Sequence, residues 1–152
     1  MKKIISLILT AATLTALLAG CGSTSGKYKD GTYEGKSSVY VADASDEDSD
    51  EAANGYGVVT ITIKDNKVVD CTYVTYEEDG TVKDEDYGKV DGEKKNKDYY
   101  NKAQKAVAAC AQYAQSLIDS GDLSGVDCIS GATINYDHFK EAVNDALSKA
   151  GE

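Results

Sequence analysis

Tyr56-Gly57-Val58-Val59-Thr60-Ile61-Thr62-Ile63-Lys64-Asp65-Asn66-Lys67-Val68-Val69-Asp70-Cys71-Thr72-Tyr73-Val74-Thr75-Tyr76 is the segment from which the fold can be read. Two runs rich in Val, Ile, Thr and Tyr flank the turn-forming pair Asp65-Asn66, the composition of a β-hairpin with strands at 56–64 and 67–76. The register depends on the loop. If Asn66 takes the left-handed position of a three-residue loop, Ile63 faces Lys67, Ile61 faces Val69 and Val59 faces Cys71. Val59, Ile61, Val69, Cys71 and Tyr73 then share one face, and Thr60, Thr62, Asp70 and Thr72 share the other. A two-residue loop would mix the two sets, so the pattern predicts the longer one, with Cys71 in the core.

Upstream, Asp30-Gly31 marks a turn leading into a strand that is expected to end near Val41. Downstream, residues 77–97 are polar, with Gly80, Gly88 and Gly92, and read as loops around at most one short strand. A helix follows, with Asp98 as its N-cap. Its core stripe is Tyr99, Ala103, Ala106, Cys110, Tyr113 and Leu117, broadened by Val107 and Ile118, and Ser120-Gly121 ends it. Phe139, Ala142, Val143, Ala146 and Leu147 mark a second helix over 136–149, N-capped by Asn135. The predicted fold class is α+β: an antiparallel sheet built around a β-hairpin, flanked by two C-terminal helices.

The chain has 152 residues and a net charge of −10, with no Pro, Trp or Arg. That length suits one domain. With 26 carboxylates against 16 lysines, the chain lacks the clustered cations that supply most nucleic-acid affinity, so nucleic acid is not an expected partner. The start is different in kind. Met1-Lys2-Lys3 precedes an apolar run from Ile4 to Gly20, too short for a spanning helix and suited to a cleaved export signal. Leu18-Ala19-Gly20-Cys21 resembles the bacterial lipobox, in which the cysteine becomes the lipidated first residue. The expected organisation is therefore a lipoprotein signal peptide at 1–20, the lipidated Cys21 and a flexible linker at 21–27, and one domain at 28–152. This implies a membrane partner through a lipid anchor and an extracytoplasmic, lipid-anchored location on a bacterial membrane. Loss of Lys2 and Lys3 takes the net charge of the mature chain to −12.

Several motifs fail on inspection. Asp46, Asp48 and Asp50 mimic the start of a calcium loop, but Glu51 stands where Gly is required and Gly57 where a bidentate Glu is required. Gly55-x-Gly57 precedes a strand and lacks the third glycine of a dinucleotide fingerprint, which Thr60 replaces. Cys71, Cys110 and Cys128 have no zinc or thioredoxin-like spacing, so no metal site is expected, and their pairing stays open.

Val126-Asp127-Cys128-Ile129-Ser130-Gly131-Ala132-Thr133 carries the chemistry. Small and hydroxyl residues lie directly ahead of a helix, where unpaired backbone N–H groups and the positive end of the dipole suit a phosphate. The segment resembles the attachment motif Asp-x-x-Ser/Thr-Gly-Ala-Thr of the FMN-binding domain family. That domain occurs in the flavin subunits of sodium-pumping NADH:quinone reductase and Rnf complexes, and in lipoproteins of extracellular electron transfer. Asp127, Ser130, Gly131, Ala132 and Thr133 match every specified position. Lys29-Asp30-Gly31-Thr32-Tyr33 and Phe139-Lys140-Glu141-Ala142-Val143 look like the family's opening and closing segments, so the resemblance spans about residues 28–150.

The resemblance implies that Thr133 carries FMN as a phosphoester, installed by a separate flavin transferase. It further implies that Gly131 and Ala132 clear space, that Ser130 and Asp127 shape the turn, and that a membrane oxidoreductase or another carrier exchanges electrons with the flavin. Two positions depart from the pattern. Ile134-Asn135-Tyr136 stands where further Ser or Thr is usual, and Cys128 where a residue such as Ala is usual. Cys128 is read as buried, His138 as an exposed helix residue, and Tyr136 as the nearest aromatic to the attachment point. The resulting function is a membrane-anchored extracytoplasmic electron carrier. Behind it rank a non-redox binding or surface-antigen lipoprotein and a small flavin-dependent reductase. The chain has no acid/base pair that marks a stand-alone enzyme and no catalytic residue is assigned, so an electron-transfer component ranks first.

Overall fold

The computed structural model describes residues 27–42 and 54–151. The expected signal segment 1–20, Cys21, the linker to residue 26 and the acidic run at 43–51 lie outside the described residues. Strands β1 (Gly31–Lys36), β2 (Tyr56–Lys64) and β3 (Lys67–Tyr76) form an antiparallel sheet in the order β1-β2-β3. Helix α1 (Lys97–Ser120) follows, then a 3₁₀ turn at Leu123–Gly125 and helix α2 (Thr133–Gly151). This is the α+β arrangement expected from the sequence. Among the described residues no helix is long and apolar enough to cross a membrane.

The hairpin buries nearly the expected face, but its register is not the expected one: Ile61 does not face Val69, nor Val59 Cys71. Asp65 and Asn66 both have positive φ, 50° and 64°, and Lys64 pairs with Lys67, so the turn has two residues and not three. Ile63 then pairs with Val68 and Thr62 with Asp70, leaving Val69 without a partner. That bulge absorbs one residue, so Ile61 faces Cys71 and Val59 faces Tyr73. Val68 is buried in the place expected for Val69, which is 47% exposed. Asp30 braces the turn by accepting from the Asp65 N–H at 2.9 Å. The strand at β1 is shorter than expected; beyond Lys36 only a bridge from Tyr40 to Gly55 continues it.

Both helices pack on the face carrying Val59, Ile61, Ile63, Val68, Cys71 and Tyr73. The N-cap of α1 is Asn96, whose side chain accepts from the Tyr99 N–H; Asp98, the expected cap, lies in the first turn. Gly121 closes α1 in the left-handed conformation, as the Ser120-Gly121 signal implied. Helix α2 begins at Thr133, three residues before the expected start, which puts Asn135 inside it and buried. Its inward stripe, Asn135, His138, Phe139, Ala142, Val143, Ala146 and Ala150, includes two polar side chains. His138 is therefore buried, 4% exposed, and not a surface residue. The reason is helical phase: position 138 precedes Phe139 by one and Ala142 by four, on the same apolar flank.

Small residues let α2 approach β1. A Cβ on Gly35 would lie 1.9 Å from the Ala142 carbonyl oxygen. Asp145 and Glu141 of α2 accept from the N–H groups of Lys36 and Ser38, each at 2.9 Å, which covers N–H groups along the β1 edge.

Gly35→Ala should destabilise the domain by about 2–3 kcal/mol, read from chemical denaturation, because the new methyl meets backbone that cannot turn aside. A second prediction concerns pH. Burial, and then the charge of Lys83, lower the His138 pKa, while Glu141 and Asp137 oppose the shift. The unfolded chain thus binds a proton near pH 6.5 that the folded chain refuses, and stability should fall as pH drops below about 6.5. Hydrogen bonds lower the Asp145 and Glu141 pKa values, chiefly from Lys149 and Ser38 respectively, so those contributions are lost only below about pH 4.5. Denaturation of His138→Gln across pH should remove the upper part of the loss and leave the lower part.

Candidate functional site

The segment 126–133 crosses from the 3₁₀ turn to the start of α2, and two tyrosines hold it. Tyr113, on α1 and fully buried, donates to the Ala132 carbonyl at 3.1 Å and accepts from the Ile129 N–H at 3.0 Å. Burial pushes its phenol up to about 12, so the O–H remains a donor at neutral pH. Tyr136, on α2, donates to the Val126 carbonyl at 2.8 Å and packs its ring on Tyr113, centroids 5.6 Å apart. The nearest aromatic to the attachment motif is thus already committed to packing, with Lys140 over its ring at 4.5 Å.

Within the segment, the Ala132 N–H donates to the Ile129 carbonyl at 3.0 Å and closes a turn over Ser130-Gly131. Gly131 occupies the second central position with φ 79°, a conformation glycine adopts without strain. Ala132 is buried at 4% exposure, and its carbonyl accepts the first helical bond of α2, from the Tyr136 N–H. Thr133 is therefore the first residue of a 19-residue helix, and it is exposed. The N–H groups of this first turn have no intrahelical acceptor.

The segment brings together the sequence-predicted residues Asp127, Ser130, Gly131, Ala132 and Thr133. Asp127 and Ser130 are exposed, and neither side chain makes a hydrogen bond among the described residues. The turn is held by Tyr113, Tyr136 and the backbone, not by these two side chains. Cys21 lies outside the described residues. Cys128 is exposed, contrary to the burial expected from sequence, because Val126 and Ala132 fill the inward positions. Its Sγ lies 3.8 Å from Thr133 Oγ1.

Below the helix start, Asn135 donates to the Ala106 carbonyl at 2.9 Å and to Cys110 Sγ at 3.6 Å, and Tyr73 donates to the Asn135 carbonyl at 2.8 Å. These bonds tie the first turn of α2 to both α1 and β3. Lys105 approaches from α1: a Cβ on Gly131 would lie 2.9 Å from its Nζ and 3.4 Å from its Cε. Neither Lys105 nor the loop-holding role of Tyr113 is legible from sequence, because each depends on where α1 passes the loop. The stripe that includes Tyr113 signals burial only.

The FMN-binding domain family matches residues 53–148, more than half of the chain. The chain belongs to the FMN-binding domain family. FMN is its cofactor, as the motif at 127–133 implied. Among curated proteins none matches this chain. The crystal structure of the CPE2226 protein from Clostridium perfringens is similar, with a TM-score of 0.52 and 22% identity over 81% of this chain and 88% of that one. That likeness concerns the fold alone.

The geometry at Thr133 fits the phosphate end of FMN. An exposed hydroxyl and the free N–H groups of a long helix share its first turn, and the preceding turn carries a side-chain-free Gly131 with the Lys105 ammonium beside it. An apolar groove of about 420 Å³ lies elsewhere, between β3 and the α1 stripe Val107, Ala111, Ala114 and Ile118. Among the described residues no group of three or more His, Cys, Asp or Glu is arranged to hold a metal.

The three described cysteines are free and should differ in reactivity. Burial raises the thiol of Cys71 to about 12 and that of Cys110 above its ordinary value. Alkylation of the native chain at neutral pH, followed by peptide mass analysis, should modify Cys128 about 100-fold faster than Cys71 or Cys110.

Proposed function

We propose that the protein is a membrane-tethered, extracytoplasmic electron carrier that holds FMN covalently through a phosphoester on Thr133. The observation that carries this reading is the exposed Thr133 hydroxyl at the first position of α2, in a member of an FMN-binding family with every specified motif residue present.

Thr133 Oγ1 exchanges its bond to hydrogen for a bond to phosphorus. Condensing a free phosphate monoester with a hydroxyl in water is uphill, so the donor is a phosphoanhydride of FMN, a flavin dinucleotide by chemical class. The phosphoanhydride P–O bond breaks, the other nucleotide leaves as its monophosphate, and the Thr133 proton is released. A flavin transferase supplies that activation; the chain supplies an accessible acceptor. Gly131 leaves the approach to Oγ1 clear, while Tyr113 and Tyr136 keep the loop from closing over it. Asp127 and Ser130, exposed and without partners in the described residues, are available to the transferase. Bound FMN supplies the redox chemistry, and the protein positions it.

Membrane tethering rests on the lipobox-like close at Leu18-Ala19-Gly20-Cys21. The Lys29 N–H donates to the Ala150 carbonyl, so the beginning of the domain lies at the far end of α2 from Thr133. With a rise of 1.5 Å per residue, the two are separated by about 25 Å. On this reading the flavin is carried on the end turned away from the anchor, where a membrane oxidoreductase or another redox carrier can reach it.

Full-length chain coexpressed with a flavin transferase should emerge yellow, keep its colour after denaturation and gain the mass of one FMN less one water. Thr133→Ala should abolish the bound colour while leaving the fold intact by circular dichroism. Colourless wild-type protein made beside an active transferase would overturn the reading in favour of a non-redox lipoprotein.

A further inference from the structure

We propose that Lys105 is the counter-ion of the phosphate through which FMN is held at Thr133, making it a positioning residue contributed by α1 to a site otherwise built from the start of α2. The inference rests on the reading given above and extends it to a residue outside the attachment motif. Lys105 Nζ lies over Gly131, so close that a single methyl there would sit 2.9 Å from it. Gly131 is two residues before the acceptor Thr133, on the same turn that opens α2. Lys105 itself is exposed.

Its lack of partners is the second observation. Lys89, Lys95, Lys140 and Lys149 each pair with a carboxylate three or four residues away. Lys105 makes no ion pair or hydrogen bond among the described residues, although the chain has 26 carboxylates to 16 lysines. An ammonium in an acidic protein, held over a glycine and left without an anion, is matched by the single negative charge of a phosphodiester. The helix N–H groups and the ammonium would then address different oxygens of that phosphate. Lys105 thereby favours the phosphate position needed for attachment and offsets the repulsion that a chain with 26 carboxylates to 16 lysines presents to an anion.

The test compares flavin transfer to the full-length chain in wild type, Lys105→Met and Lys105→Arg, as kcat/KM of the transferase at low and high ionic strength. It adds the phosphorus-31 NMR spectrum of each purified, flavin-bearing protein. Lys105→Met should lower kcat/KM about 2- to 5-fold at low salt, the range of one exposed charge pair, with a smaller loss at high salt. Its phosphorus resonance should shift from that of wild type, and Lys105→Arg should restore most of the rate and the shift. Equal denaturation midpoints would separate this effect from a fold defect. Wild-type rate and an unchanged resonance in Lys105→Met, with flavin still bound at Thr133, would overturn the lysine role alone. Absence of flavin from wild type would overturn the attachment reading and this proposal together.

Discussion

The Tyr113 phenol joins three parts of the molecule at one buried point. Its backbone belongs to α1, its ring stacks on Phe139 of α2 with centroids 5.6 Å apart, and its oxygen bridges Ile129 N–H and Ala132 C=O. Each such bond contributes only about 1 kcal/mol net, but leaving the part-buried Ile129 N–H unmet would cost about 1–3 kcal/mol. The loop is therefore held to one arrangement relative to both helices. The left-handed Gly131 and the start of α2 at Thr133 follow from it, because the carbonyl that Tyr113 grips is the one that accepts the first bond of the helix.

The hairpin shows how far a sequence pattern reaches. Alternation correctly places Val59, Ile61, Cys71 and Tyr73 on the buried face and marks both strand boundaries. It also shows that a two-residue loop alone would set apolar against polar positions. Two physical remedies exist, a longer loop or an extra residue in one strand, and alternation cannot tell them apart because Val68 and Val69 are both apolar. The structure uses the second. Val69 bulges out and Val68 turns in, so Cys71 and Tyr73 keep the buried face while each β2 residue beyond the bulge meets a β3 residue two positions later than the longer loop would place opposite it.

Around the site, local signals were legible and tertiary ones were not. Asp127 to Thr133 form a contiguous string, so the acceptor hydroxyl and the glycine behind it are visible in the sequence. The true start of α2 was less so, because Asn135 has the chemistry of a cap yet spends its amide on Ala106 and Cys110. His138 and Cys128 were assigned the wrong exposures for related reasons. His138 lies inside even the shorter expected helix, and its place beside Phe139 and one turn from Ala142 puts it on the buried flank, while the loop buries its aliphatic residues and turns the thiol outward. Lys105 lies 28 positions before Thr133 and carries no local mark.

The openness of the motif bears on the proposed covalent attachment. Deep small-molecule sites bury most of their ligand in concave, apolar surroundings. Here Asp127, Cys128, Ser130, Gly131 and Thr133 are all exposed, and the apolar groove between β3 and α1 lies apart from them. Free N–H groups at a helix start and one exposed ammonium hold an anion weakly, and salt weakens them further. A protein relying on those contacts alone would lose FMN by dilution. The proposed phosphoester on Thr133 would remove the need for burial and let the flavin stay accessible on a surface that need only orient it.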